Sequence, residues 1–315
     1  MTPITHHIRL SSKESYGVRL PPSTLGALLL VITESVQRAI RMRCEGRSIA
    51  KGRRAAWLDA ASDIRFVDHY GDEETVLVFE APTLGETAEE LFRQPDMFSE
   101  LPRPEDTGFD LLGDLIADVA TGNPESDRFD TPLLSQIVRF RKGLNGGFQS
   151  ASLWGNRYEE RSAVLLNADV LETARHLREN TPRPQRVRIS GHLDMIRAST
   201  LSFALKLTSG QEVRGGLQQG DAEMLQRHFQ SEVVVLGKAV FRPSGRVLRI
   251  DADELRQATP SDRFFSETPK PTRRKLDIRE VIRTQQHKKG LAAIIGKWPG
   301  NETEEEIERA LMEVS

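Results

Sequence analysis

Residues 185–258 carry the pattern that most restricts how this chain can fold. Five segments of alternating or apolar residues are separated by turns, and a short helical segment, 221–229, lies between the third and the fourth. The five segments begin near Val187, Phe203, Glu212, Glu232 and Arg246. Alternation of apolar and polar residues predicts strands with one buried face. Prolines at 182, 184, 260, 269 and 271 bracket this region, so we expect it to form a separate unit.

This order of three strands, a helix and two strands resembles the OB-fold, a small closed barrel of five strands. Gly191 interrupts the first strand, where a small barrel needs a bend or a bulge. The resemblance covers about a quarter of the chain and implies a surface that binds oligonucleotides across strands two and three. A different small barrel or an open α+β sheet is the alternative interpretation.

The predicted barrel is mildly basic, with eleven Lys and Arg against eight Asp and Glu over residues 186–256. Basic side chains in the expected binding region predict phosphate contacts with single-stranded nucleic acid. The candidate nucleic-acid-binding residues are Arg197, Lys206, Arg242 and Arg246. Phe203, Phe229 and Phe241 fit core positions rather than exposed stacking positions. A purely structural barrel with a solvated basic rim is therefore the alternative.

Residues 1–181 predict an α+β domain made of helices and hairpins. A helix begins at Pro22, and further helices are expected at 109–120, 132–142 and 169–177. Strand pairs are expected at 63–67 with 75–80, and at 148–154 with 161–166. The repeated order of elements suggests two similar halves. His6 and His7 are expected to belong to a disordered end.

The carboxy-terminal residues predict a basic linker, 259–290, and an acidic helical interaction tail, 291–315. Thr303 and Glu306 fit a capping box at the start of the tail helix. The segment around Trp298, followed by a Glu-rich helix, resembles the end of short bacterial antitoxin-like proteins associated with PIN-domain ribonuclease toxins. This resemblance implies a toxin-docking tail whose partner-binding residues are Lys297, Trp298, Pro299, Gly300, Ile307 and Leu311. The alternative is a tail that packs on its own chain.

No familiar catalytic or metal motif is present in the sequence: it has no phosphate-binding loop, nucleophile elbow, paired cysteines or HExxH. Asp110, Asp114 and Asp118 share one face of a predicted helix, as an acid/base or divalent-metal site would. An ordinary solvated helix face is the preferred interpretation, with a cation such as Arg128 nearby. We therefore expect no cofactor and no metal, and rank an enzyme of unknown class third.

The charge and the cysteine content indicate the cellular compartment in which the protein is expected. The net charge is −2, there is one cysteine, Cys44, and no apolar run approaches the ~20 residues of a membrane span. We expect a multi-domain α+β protein of the cytoplasm, without a membrane anchor, in which Cys44 is buried. The leading functional hypothesis is a non-enzymatic, antitoxin-like or regulatory interaction protein. The alternative is an OB-fold protein that binds nucleic acid.

Overall fold

The structure is a computed structural model that describes residues 3–13, 16–50, 52, 54–92, 102–144, 147–218 and 221–271. The described residues belong to one compact unit that ends at Thr272. Most of the predicted basic linker and the whole predicted tail, including Trp298, lie outside the described residues. The mixed α+β class predicted for the rest of the chain is confirmed.

A five-stranded antiparallel sheet organises the amino-terminal part. Its strands, in the spatial order β2-β3-β1-β4-β5, are β1 Ile4–Ser12, β2 Arg65–Tyr70, β3 Thr75–Ala81, β4 Phe148–Trp154 and β5 Val164–Asn167. The two predicted hairpins are confirmed, and they flank β1 on opposite sides. The expectation of a disordered end around His6 is wrong, because β1 is the central strand and His6 is buried in it.

Eight helices of the described residues belong to this part. They are α1 Pro22–Glu45, α2 Ala56–Ala61, α3 Leu84–Thr87, α4 Glu89–Phe92, α5 Gly108–Ala120, α6 Thr131–Val138, α7 Phe140–Leu144 and α8 Ala168–Asn180. The apolar face of α1 is buried through Leu28, Ile32, Val36 and Ile40, as the sequence predicts. The single helix predicted over 132–142 is instead two helices, since α6 ends at Val138 and α7 begins at Phe140. None of the described helices is long and apolar enough to cross a bilayer.

A closed five-stranded barrel follows. It consists of β6 Gln185–Arg197, β7 Ser202–Lys206, β8 Glu212–Leu217, α9 Ala222–Arg227, β9 Glu232–Phe241 and β10 Val247–Gln257. The strands close in the order β10-β8-β7-β6-β9, with β8 and β10 parallel and every other pair antiparallel. A closed barrel of this order, with its helix between the third and fourth strands, is OB-like. The open-sheet alternative is therefore wrong.

Gly191 lies where β6 changes from pairing with one neighbouring strand to pairing with another. β6 pairs with β9 through residues 185–192 and with β7 through residues 192–197. A Cβ at Gly191 would lie 3.0 Å from the Lys206 carbonyl oxygen and 3.1 Å from the Leu207 side chain. Only glycine leaves room for the close approach at this changeover.

The barrel has its own core, which includes Ile189, Phe203 and Phe241. Two barrel residues, Val240 and Leu248, instead pack in the core of the amino-terminal part. Phe229 was expected in the barrel core, but it lies just after α9 and is 41% exposed, so that expectation is wrong.

Candidate nucleic-acid interface: an arginine-lined cleft

An open cleft lies between the end of α1 and the barrel surface formed by β6, β7, β8 and β10. Its cavity volume is about 120 Å³. Six arginines line it: Arg43, Arg47, Arg197, Arg214, Arg242 and Arg249. Three carboxylates line it as well: Glu45, Asp127 and Asp251. We call this feature the arginine cleft.

The floor of the arginine cleft is a single row across four strands. Arg197 pairs with Ser202, Ser202 with Gly216, and Gly216 with Asp251. Neighbouring strands lie roughly 4.8 Å apart, so this row spans the barrel face that includes strands two and three. A Cβ at Gly216 would meet nothing closer than the Leu201 carbonyl oxygen, at 3.8 Å. The floor at Gly216 is therefore bare backbone.

The last turn of α1 forms the wall. Gly46 ends the helix in the left-handed conformation, with φ of 70°, and its N–H donates to the Met42 carbonyl at 3.0 Å. Arg43, in the last turn of α1, and Arg47, just after Gly46, both line the cleft. Arg43 lies 3.6 Å from Asp127, and the Arg47 Nε lies 3.2 Å from Glu45.

Arg249 joins the wall to the floor. Its Nη1 donates to the Gly46 carbonyl at 3.2 Å and to the Asp130 carboxylate at 3.1 Å, and its Nε donates to Asp251 at 2.8 Å. Asp130 also caps α6 and accepts from the Ser48 N–H at 3.1 Å. The Asp130 side chain is fully buried, so this network is a structural joint between the two parts rather than a ligand site.

The loop between β9 and β10 packs against the amino-terminal part. Arg242 donates to the Glu125 carbonyl at 2.8 Å, and the Ser244 N–H donates to the Pro124 carbonyl at 3.2 Å. Arg246 lies 3.5 Å from the Glu125 carboxylate. One of the two loops that an OB-fold commonly uses for its ligand is therefore in contact with residues 124–125.

The four residues proposed from sequence fall in different places. Arg197 and Arg242 line the arginine cleft, whereas Arg246 is highly exposed next to Glu125. Lys206 is not among the lining residues, since it lies at the other end of β7, opposite Glu212. The structure thus brings together two of the four.

Sequence reasoning missed Arg43, Arg47, Arg214 and Arg249 as lining residues. A signal for Arg214 is present, because it shares the outward positions of β8 with Gly216, two residues away. No local signal links the end of α1 to a barrel that begins about 140 residues later.

Cys44 lies at the cleft wall and is buried, as predicted. Burial raises the pKa of its thiol to about 12, with a further contribution from Glu45, while Arg43 and Arg197 oppose the shift. A thiol with this pKa stays protonated at neutral pH and is a poor nucleophile.

The three aspartates of α5 do not form a solvated face, so that interpretation is wrong. Asp110 is 1% exposed and accepts from the N–H groups of Thr107 and Arg157, at 2.8 and 3.1 Å. The Asn156 amide donates to it at 3.0 Å. Asp110 therefore caps α5 and fixes the loop after β4.

The other two aspartates of α5 are also paired. Asp114 accepts from Arg157 at 2.8 Å and from the Tyr158 hydroxyl, and Asp118 lies 3.4 Å from Arg128, the cation expected from sequence. Within the part of the chain that the structure describes, no group of three His, Cys, Asp or Glu side chains is placed to hold a metal.

No protein-family model, curated protein or solved structure matches this chain. The OB-like character of the barrel therefore depends on its strand order and pairing alone.

Proposed function

We propose that the protein binds single-stranded nucleic acid, with backbone phosphates in the arginine cleft. The observation that carries the proposal is the row Arg197, Ser202, Gly216 and Asp251, which crosses the barrel face that OB-folds use for oligonucleotides. Planar guanidinium groups match phosphate oxygens with paired N–H donors. Arg43, Arg47 and Arg214 surround this row and add such donors.

The lining residues favour recognition of phosphate rather than of bases. Phe203 alone is aromatic among the described residues that line the cleft, and it is 1% exposed, inside the barrel. Without exposed rings, stacking contributes little, so affinity comes mainly from charge. Binding is then independent of sequence and falls steeply as salt rises.

Fluorescence anisotropy with labelled single strands, measured between about 50 and 200 mM salt, tests this proposal. Arg197→Ala and Arg214→Ala should each weaken binding and reduce the salt slope by roughly 0.7. Arg186→Ala is the matched control, because Arg186 lies on the barrel but is highly exposed and outside the cleft. Lys206 is basic but lies outside the cleft. If the cleft rather than any basic surface binds the strand, Lys206→Ala should have no effect. Absence of wild-type binding at low salt would remove the proposal.

The tail supports a second proposal, a regulatory or antitoxin-like interaction with a PIN-domain ribonuclease toxin. It comes from the sequence Lys297-Trp298-Pro299-Gly300 before a Glu-rich segment, with Ile307 and Leu311 at helical spacing. A buried indole is a typical interface anchor, so Trp298→Ala should abolish capture of the partner. Pull-downs from the native host with the full chain and with a chain truncated after Gly296 test this. Recovery of the same proteins by both baits would refute it.

A further inference from the structure

We infer that the arginine cleft selects a phosphomonoester, the phosphorylated end of a strand, over an internal phosphodiester. This inference depends on the proposed function and specifies the part of the nucleic acid that enters the cleft.

Contacts with the amino-terminal part close the arginine cleft on a side where an OB-fold groove is usually open. The end of α1 forms one side, and the β9–β10 loop is held against residues 124–125 by Arg242 and Ser244. A strand that passed between the two binding loops would have to displace these contacts. A strand end can enter the cleft from its open side without displacing them.

The charges converge rather than follow a line. Arg43 comes from α1, Arg47 from the residues just after it, Arg197 from β6 and Arg214 from β8, and all four line one small cavity. A strand that lies along a groove needs cations spaced along its backbone. A monoester phosphate carries a charge of about −1.5 to −2 at pH 7 and three terminal oxygens, so it suits guanidinium groups that approach from several directions.

One acidic residue that lines the cleft, Asp127, can give way to such a phosphate. It is 3.6 Å from Arg43, and its side chain is 47% exposed. An ion pair whose carboxylate is open to solvent contributes little, so a phosphate can replace Asp127. Glu45 differs, because its side chain is 8% exposed and it lies between Arg41 and Arg47.

The cleft is large enough to take a phosphate group. Its volume of about 120 Å³ compares with roughly 10–15 Å³ needed for one water molecule on the same scale. The proposed ligand chemistry is the phosphomonoester, which a strand end or a free nucleotide would supply.

The experiment compares one labelled single strand in four forms: with a 5′ phosphate, with a 3′ phosphate, with hydroxyl ends, and circular. Either phosphorylated form should bind the full chain at least about tenfold more tightly than the hydroxyl-ended and circular forms. Asp127→Asn should strengthen binding of that phosphorylated form by up to about fivefold, while Arg197→Ala weakens it. Arg186→Ala is the matched control, and circular dichroism checks that each variant is folded.

The outcomes separate this inference from the proposed function. Equal binding of circular and phosphorylated strands would overturn end selection and leave single-strand binding intact. Binding of a nucleoside monophosphate, with no strand bound, would support the phosphomonoester site, overturn its assignment to a strand end and reject the proposed function. If neither strands nor nucleoside monophosphate nor inorganic phosphate binds, both fail.

Discussion

At the scale of single residues, the burial of His6 makes its protonation oppose folding. Its side chain lies in the central strand β1, is 1% exposed, and its Nε2 is 2.9 Å from the Thr107 hydroxyl. Its ring packs 4.9 Å from the ring of Phe109. Burial lowers the pKa of the imidazole to about 4, although the Asp110 carboxylate offsets part of the shift.

This shift predicts a loss of stability in mild acid. The unfolded chain takes up the His6 proton near pH 6.5, before the folded chain does, so stability is complete above that pH and falls towards pH 4. The free energy of unfolding changes by at most about 1.4 kcal/mol per pH unit, or by roughly 3 kcal/mol between pH 6.5 and pH 4. Urea unfolding between pH 5 and 7 measures it. Burial also raises the pKa of Asp106, which acts with the opposite sign, so a His6 variant is needed to isolate the contribution of His6.

His6→Gln should flatten this pH dependence, and His228→Gln, in the barrel, is the matched control that should retain it. A slope that is the same in wild type and His6→Gln would assign the acid sensitivity to another group.

At the scale of elements, the sequence predicts strands and helices best where one face is apolar throughout. The barrel strands and α1 meet that condition, and their positions were predicted correctly. β1 does not, because His6 occupies a buried position and its partner, Thr107, lies about a hundred residues away. Asp110 was misjudged for the same reason, since its hydrogen-bond donors Asn156 and Arg157 come from a distant loop.

Two adjacent glycines in β8 allow barrel stability and ligand binding to be tested independently. A Cβ at Gly215 would lie 2.4 Å from the Phe203 ring and 2.8 Å from the Ile250 carbonyl, whereas one at Gly216 would make only an ordinary contact, 3.8 Å from the Leu201 carbonyl oxygen. We expect Gly215→Val to destabilise the barrel by about 1–3 kcal/mol. Gly216→Val should keep the stability and lose the ligand, because its side chain fills the cleft floor.

Thermal unfolding and anisotropy on both variants check this contrast. Unimpaired ligand binding by a folded Gly216→Val protein would show that the ligand does not use the cleft floor.

A short 3₁₀ helix, Pro260–Phe265, extends the barrel past the end predicted at residue 258. The buried carboxylate of Asp262 accepts from Arg188 of β6 and, at 3.1 Å, from Arg256 of β10. Hydrogen bonds from Thr259 lead the causes that hold the pKa of Asp262 well below its usual range, with Arg256 and Arg188 contributing.

We therefore expect a fragment of residues 185–266 to melt at a higher temperature than one of residues 185–258. Asp262→Asn in the longer fragment should remove most of the difference. Equal melting temperatures for the two fragments would mean that the 3₁₀ helix is dispensable for the barrel.

At the scale of the whole molecule, the arginine cleft exists only because the two parts of the chain meet. Its floor belongs to the barrel, whose strand order the sequence indicates, and its wall belongs to α1. The sequence identifies Arg197 and Arg242 because they lie on predicted barrel elements. Arg43 and Arg47 could not be assigned, since their position depends on a tertiary contact that no local pattern encodes.

Arg249 bridges the wall and the floor, so replacing this arginine should weaken the contact between the two parts. Arg249→Met leaves the Asp130 carboxylate buried without its cation, which should cost about 3–5 kcal/mol of unfolding free energy. Ligand binding should fall as well, because the wall is no longer held against the floor. Arg186→Met is the matched control: its ion pair with Asp253 is exposed, so the change should stay within about 0.5 kcal/mol.

The double variant Arg249→Met, Asp130→Asn distinguishes a lost pair from lost packing. If the cost of the single variant comes from an unpaired buried charge, neutralising Asp130 recovers part of it, and the two effects are not additive. Urea unfolding of the four proteins in this cycle gives the coupling energy. Strict additivity, or a cost below about 1 kcal/mol for Arg249→Met, would mean that the Arg249–Asp130 pair is not what holds the two parts together.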